Sequence, residues 1–215
     1  MCPSSDVRPA ALHALIGDID PAWLEQLLRG RVRPGDRLLD AGCGMGRNLI
    51  YPLRAGVEVW GVDTSEDDIA YLRRQASAAW CLPADRFRTE ALEALSFPDE
   101  HFDAVCCSLV MHFARDDAHF AAMLGELWRV LRPGGFLYVR TAVADHLPEG
   151  WRALGGNRYV APGGRSAWYL PVAAMLSAWG ESRRATAAYL SLTYAPGERG
   201  VATWTCSKPS PPTMR

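Results

Sequence analysis

From Arg37 onward, short apolar runs alternate with longer segments whose apolar residues recur at helical spacing. That alternation is the pattern of a parallel sheet covered by helices on both faces. Arg37-Leu38-Leu39-Asp40, entered through Pro34-Gly35-Asp36, reads as the first strand. A helix is expected from about Gly46 to Ala55, where Gly56 stops it, and Val57 to Val62 reads as the second strand. Ser65 followed by Glu66, Asp67 and Asp68 marks a helix start, since a serine oxygen accepts free N–H groups and acids suit the positive end of the dipole. This helix should run to roughly Ala79, with Arg86 to Thr89 as a weak third strand and Phe102 to Ser108 as a strongly apolar fourth. Asp116 or Asp117 opens a helix bearing Phe120, Met123, Leu124, Leu127, Val130 and Leu131 at helical spacing. Pro133-Gly134-Gly135 should end it and turn into a fifth strand, Phe136 to Val139.

The pattern differs at both ends. Ala10 to Ile16 and Pro21 to Gly30 read as two helices, the second with Pro21 in its first position after Asp20. Past the fifth strand, Asn157 to Val160 and Arg165 to Leu170 flank Ala161-Pro162-Gly163-Gly164 as a small hairpin. A helix over Val172 to Trp179 then precedes two β-like runs, Thr186 to Tyr194 and Val201 to Cys206, which Pro196-Gly197 should fold into an antiparallel pair. The proline-rich residues 209–215 are expected to be a disordered tail. The expected fold is thus one α/β domain over 1–208: a doubly wound, mostly parallel seven-stranded sheet with an antiparallel last strand. Residues 1–34 form a helical cap and 142–170 an insertion.

Composition narrows the partners. The net charge of −1 draws the chain onto neither nucleic acid nor anionic lipid as a whole. Arg29, Arg31, Arg33 and Arg37 are a local exception: either a solvated helix end, where cations suit the dipole, or a polyanion site. No apolar segment has signal-peptide or membrane-spanning length, so a cytoplasmic protein without a membrane partner is expected. The six cysteines include no CxxC pair, and Cys106 and Cys107 sit inside an apolar strand, so reduced thiols are expected, without a metal.

The strongest chemical signal is Asp40-Ala41-Gly42-Cys43-Gly44-Met45-Gly46-Arg47-Asn48. A strand that runs into glycines and then a helix brings backbone close to a ligand and points free N–H groups at it. Dinucleotide enzymes seat a pyrophosphate with G-x-G-x-x-G. Here the spacing is G-x-G-x-G, and Asp40 ahead of it repels a pyrophosphate but suits an ammonium. Asp63, ending the second strand ahead of Thr64, is placed to accept both hydroxyls of a ribose. The alternative is a helix-start acid.

These motifs, with Phe97-Pro98-Asp99-Glu100-His101-Phe102-Asp103 and Leu131-Arg132-Pro133-Gly134-Gly135, resemble the class I S-adenosylmethionine-dependent methyltransferases over roughly Val32 to Arg140. The likeness is closest to the small-molecule, ubiquinone- and menaquinone-biosynthesis branch. It implies S-adenosyl-L-methionine as cofactor, held by Asp40, Ala41, Gly42, Cys43, Gly44, Gly46, Arg47, Asn48, Asp63, Thr64 and Ser108. The family's adenine motif finds its nearest match in Glu90-Ala91-Leu92, where the usual aspartate is missing and the spacing to Leu95 is one residue long.

The acceptor is expected to be a small molecule methylated at oxygen, nitrogen or sulfur, met by residues that follow the fourth and fifth strands. His112 is a candidate base, or else a histidine bonded to backbone. Arg140 is a candidate for orienting an anionic acceptor, or else a surface ion pair. Tyr51, Tyr159 and Trp168 are either pocket walls or core, and Asp18 to Leu24 with Tyr159 to Trp168 form an expected lid. After the fourth strand stands Cys107-Ser108-Leu109-Val110, not the N/D-P-P-Y/F of base-amine methylation, and no basic patch interleaves with aromatics, so no nucleic acid is expected. A monomer or homodimer is expected. The rival readings are a non-catalytic cofactor-binding regulatory protein and a nicotinamide-dependent oxidoreductase.

Overall fold

The computed structural model describes residues 9–195 and 197–210. Helix α1 (Pro9–Ile16) and helix α2 (Pro21–Leu28) precede strand β1 (Arg37–Ala41). Then come α3 (Ile50–Arg54), β2 (Glu58–Asp63), α4 (Glu66–Gln75), β3 (Phe87–Thr89), β4 (Phe102–Ser108), α5 (Asp117–Val130) and β5 (Leu131–Ala142). A second group holds β6 (Arg152–Gly155), β7 (Arg158–Val160), β8 (Ala167–Tyr169), α6 (Ala173–Ser182), β9 (Thr186–Thr193) and β10 (Val201–Ser207). The main sheet has seven strands in the order β3-β2-β1-β4-β5-β10-β9. The first five are parallel, and β10 runs antiparallel to both β5 and β9. This is the expected doubly wound arrangement.

Two cores form because neighbouring strand residues point to opposite faces. Leu39, Val105, Leu137 and Trp204 pack with α5 and α6 on one face. Leu38, Cys106 and Tyr138 pack with Trp23, Leu49 and Leu72 on the other. Strands buried on both faces account for near-continuous apolar runs such as Ala104 to Cys107.

Three expected boundaries shift, each for a local reason. Gly44 and Gly46 take φ of +50° and +82°, which a helix cannot use, so α3 begins only at Ile50. Helix α4 starts where expected, with Ser65 Oγ accepting from Asp68 N, but widens over Ala76–Trp80 into a π turn that a left-handed Cys81 ends. Pro133 to Gly135 do not separate helix from strand; they lie inside β5, where Gly134 N donates to Lys208 O and Lys208 N to Gly135 O.

The expected hairpin forms as the antiparallel pair β7 and β8, and β6 extends it to a three-stranded sheet. Asp117 pins it to the start of α5 by accepting from Tyr169 Oη and Asn157 Nδ2, both at 2.8 Å. The proline-rich tail lies largely outside the described residues. Among the described residues no helix is long and apolar enough to cross a membrane.

Candidate functional site

The sheet order reverses between β1 and β4, and at that point the carboxyl ends of the strands open a cleft of about 640 Å³. Its floor is the glycine loop after β1. Gly42 N and Cys43 N both donate to Val62 O, at 2.8 and 2.9 Å. A side chain on Gly42 would strike Val110 at 2.2 Å, and one on Gly46 would strike Leu72 at 2.7 Å. Gly44 differs: a Cβ there would meet nothing within 4 Å. Gly42 and Gly46 are therefore small for packing, whereas Gly44 borders open cleft.

Asp63 ties this floor to the end of β2. Its Oδ2 accepts from Gly44 N at 2.8 Å and its Oδ1 from Ser65 N at 3.0 Å. A carboxylate has about four acceptor sites, so capacity remains on the side that lines the cleft beside Thr64.

Asp40 sits elsewhere than its motif suggests. It is 1% exposed, does not line the cleft, and neither oxygen has an N–H or O–H partner, only the Cys106 thiol beside it. Burial pushes its carboxyl up to about 7, against the pull of Arg47. Ala41 and Gly46 are likewise buried beneath the loop, while Gly42, Cys43, Gly44, Arg47 and Asn48 line the cleft. Burial raises the Cys43 thiol far above its usual range, so it is a neutral wall.

On the β3 side, Glu90 turns away and accepts from Ser96 N and Ser96 Oγ. Ala91, Leu92 and Glu93 line the cleft in its place. The extra residue ahead of Leu95 was the signal for this displacement. Glu93 then joins a rim cluster, with Arg115 Nη1 at 3.5 Å and His119 Nε2 at 3.0 Å. Burial alone would raise the Glu93 carboxyl, but its own backbone N–H, His119 and Arg115 outweigh it and hold it low. Arg115 N donates to His119 Nδ1 at 3.0 Å, which leaves Nε2 as the protonated nitrogen.

The far wall follows β4. Ser108, Leu109, Val110 and Phe113 line it, and Leu109 holds a left-handed φ of +61° while its N–H donates to Arg140 O. A branched residue in that region carries strain, a feature that concentrates at functional sites. His112 does not line the cleft. Its ring lies against Phe113 and Trp168, at 4.4 and 5.2 Å between centroids. Burial, aided by the charge of Arg199, pushes it down to about 4, so it is neutral near pH 7. Trp168 reaches the cleft only through these rings, Tyr159 pairs with Trp168 across β7 and β8, and Tyr51 lies on the opposite side near Leu27 and Val57.

Asp20 is the residue that sequence reasoning missed. It is 1% exposed; Oδ1 caps α2 at Ala22 N, and Oδ2 accepts from Ser108 Oγ at 2.8 Å and Arg140 Nη1 at 2.9 Å. Arg47 Nη2 lies 3.7 Å away, and Asp20 N donates to Asn48 Oδ1. Arg140 Nη1 is thus taken by a protein carboxylate, while its Nε has no partner. The sequence pattern placed Asp20 only ahead of Pro21 and within the expected Asp18 to Leu24 lid, and nothing in it foretold the contacts with Ser108 and Arg140. No group of three or more His, Cys, Asp or Glu suited to a metal occurs among the described residues.

A methyltransferase-domain family model matches residues 39–139. The ubiquinone biosynthesis O-methyltransferase of Methylocella silvestris is 35% identical over 183 residues, covering 77% of this chain and 68% of that protein. A malonyl-[acyl-carrier protein] O-methyltransferase of Enterobacter lignolyticus is 39% identical over 121 residues, covering 55% and 45%. The chain spans about half the length of the malonyl-[acyl-carrier protein] methyltransferases it matches. The fold matches the 1,6-didemethyltoxoflavin-N1-methyltransferase of Burkholderia thailandensis with a TM-score of 0.66 at 19% identity, covering 94% of this chain and 82% of that one.

Proposed function

Because the chain belongs to the class I S-adenosylmethionine-dependent methyltransferases, we propose that it methylates an oxygen, nitrogen or sulfur atom of a small molecule held in the cleft above Gly42 to Gly44. The observation that carries this reading is the bond from Gly44 N to Asp63 Oδ2. It locks the loop with the open side of Gly44 toward the cleft and keeps a carboxylate at its edge.

The residues present fit the cofactor. Asp63 would take the ribose hydroxyls, Ala91 and Leu92 the adenine, and Arg47 the amino-acid carboxylate. Asp40, buried under the loop without an N–H or O–H partner, favours a positive group above it. When bound, the cofactor supplies a methyl carbon made electrophilic by a positively charged sulfur. The chain's own work is alignment of the acceptor and exclusion of water. Met45, Leu109, Val110 and Phe113 give the remaining wall an apolar character, which suits an apolar or aromatic acceptor. His112 lies outside the cleft; His119 lines it, but its Nδ1 accepts from Arg115 N and its Nε2 faces Glu93 Oε1 at 3.0 Å, so neither nitrogen is open to take a proton from an acceptor. The acceptor atom therefore arrives with its lone pair available. The two named relatives are both O-methyltransferases, which puts oxygen first.

The test is incubation of pure protein with methyl-labelled S-adenosylmethionine and a panel of phenols, carboxylic acids, amines and thiols. Transfer of label to one class, oxygen first, is expected. Tight cofactor binding with no transfer to any class would replace catalysis with a regulatory binding role.

A further inference from the structure

A second groove, of about 310 Å³, lies between α2 and the face of β5, β10 and β9 that α2 only partly covers. This face is polar where a sheet face under a helix is ordinarily apolar. On β10 the opposite face carries Ala202, Trp204 and Cys206, packed in the core, whereas Thr203 and Thr205 face the groove. The register aligns Arg140, Thr203 and Ser191 in one row across the three strands. Arg29 and Arg31 add two more guanidinium groups from the end of α2 and the turn after it.

The charge does not balance locally. Glu25 is the one acid in the lining, and it is paired with Arg29 at 2.7 Å. Asp20 neutralises Arg140 from the cleft side. Arg31 lies 5.7 Å from the Phe136 ring and forms no salt bridge among the described residues. Arg140 Nε, in the groove lining, is buried without a hydrogen-bond partner. It has a hydrogen to donate and leaves a cost that an acceptor would remove. An unpartnered donor, hydroxyls and an excess of guanidinium together describe the surroundings of an oxyanion.

We propose that this groove is an anion site for a phosphate group, separate from the cofactor cleft. It divides the arginine cluster singled out in the sequence: Arg29 and Arg31 serve the anion with Arg140, while Arg37 pairs with Asp103. The volume holds roughly ten waters, more than a bare phosphate displaces, so a phosphomonoester fills it better than the free ion. Arg140 also links the two sites, because its Nη1 holds the Asp20 carboxylate that accepts from Ser108 in the cleft wall.

The experiment is calorimetric titration of the full chain with inorganic phosphate, glycerol 3-phosphate and uncharged glycerol. Wild type, Arg31→Gln, Thr203→Val and the cleft-rim variant Arg115→Gln are compared, with circular dichroism confirming each fold. Both phosphates should bind and glycerol should not. Arg31→Gln and Thr203→Val should each weaken binding, the arginine change by at least about tenfold, while Arg115→Gln leaves it unchanged. Tighter binding of glycerol 3-phosphate assigns the site to an organic phosphate, and equal binding assigns it to the free ion. Absence of binding by wild type, or binding that Arg31→Gln and Thr203→Val leave intact, overturns the proposal.

Discussion

Asp40 is the residue whose chemistry departs most from its motif. Its acidity was visible in the sequence, but its burial was not, because burial depends on how β4 and the glycine loop close over β1. In the folded chain its pKa is raised from 3.8 to about 7. The folded state therefore keeps a proton that the unfolded state releases as pH rises through about 4. Stability should fall between about pH 4 and pH 7, by up to ~4 kcal/mol, and then level off once both states are ionised. Asp40→Asn should remove this slope, so urea midpoints of wild type and variant should diverge as pH rises. Parallel midpoints from pH 4 to 8 would show that Asp40 ionises freely in the fold. His112 makes the complementary case. Its position and its ability to take a proton near neutral pH nominated it as a base, yet its ring packs against Phe113 and Trp168 and burial keeps it neutral near pH 7. His112→Phe should leave the pH profile of turnover unchanged, and loss of a basic limb would restore it as a base.

At the scale of elements, the strands and helices around β1 to β5 were legible because each is long or strongly patterned. The boundaries that moved did so where backbone geometry overrode pattern, as at Gly44 and Gly46 before α3. What no local pattern carries is how α2 reaches the sheet. Trp23 is fully buried against Tyr138, and Asp20 joins α2 to β4 and β5 through Ser108 and Arg140. Asp20→Asn keeps a competent helix cap but leaves two guanidinium groups facing an uncharged amide. Because Arg140 and Arg47 keep access to water, losing the charge-assisted bonds costs about 1.5–3 kcal/mol. Denaturant unfolding should show a loss of that order, whereas a loss under ~0.5 kcal/mol would mean α2 is held by Trp23 alone. The β6 to β8 sheet reaches the cleft through Trp168 and Phe113. Hydrogen exchange in β7 and β8 should slow when S-adenosylhomocysteine is added if the insertion closes over the cleft, and identical exchange would exclude a lid.

At the scale of the whole molecule, the cleft follows from strand order. Crossing from β1 to β2 on one side and to β4 on the other leaves the carboxyl ends of β1 and β4 uncovered. The glycine loop and Asp63 were readable because they lie in short, contiguous motifs. The rest of the cleft was not, because Met45, Glu93, Leu109 and Met123 come from four segments that only the fold brings together. The account rests on a cofactor seated on the glycine loop and gripped at its edge by Asp63. Calorimetry with S-adenosylhomocysteine, on wild type and on a folded Asp63→Ala variant, tests it most directly. Wild type should bind, and the variant should lose roughly 1.5–3 kcal/mol, the worth of hydrogen bonds to a charged group. Equal affinity in the two proteins, or no binding by wild type, would contradict the account.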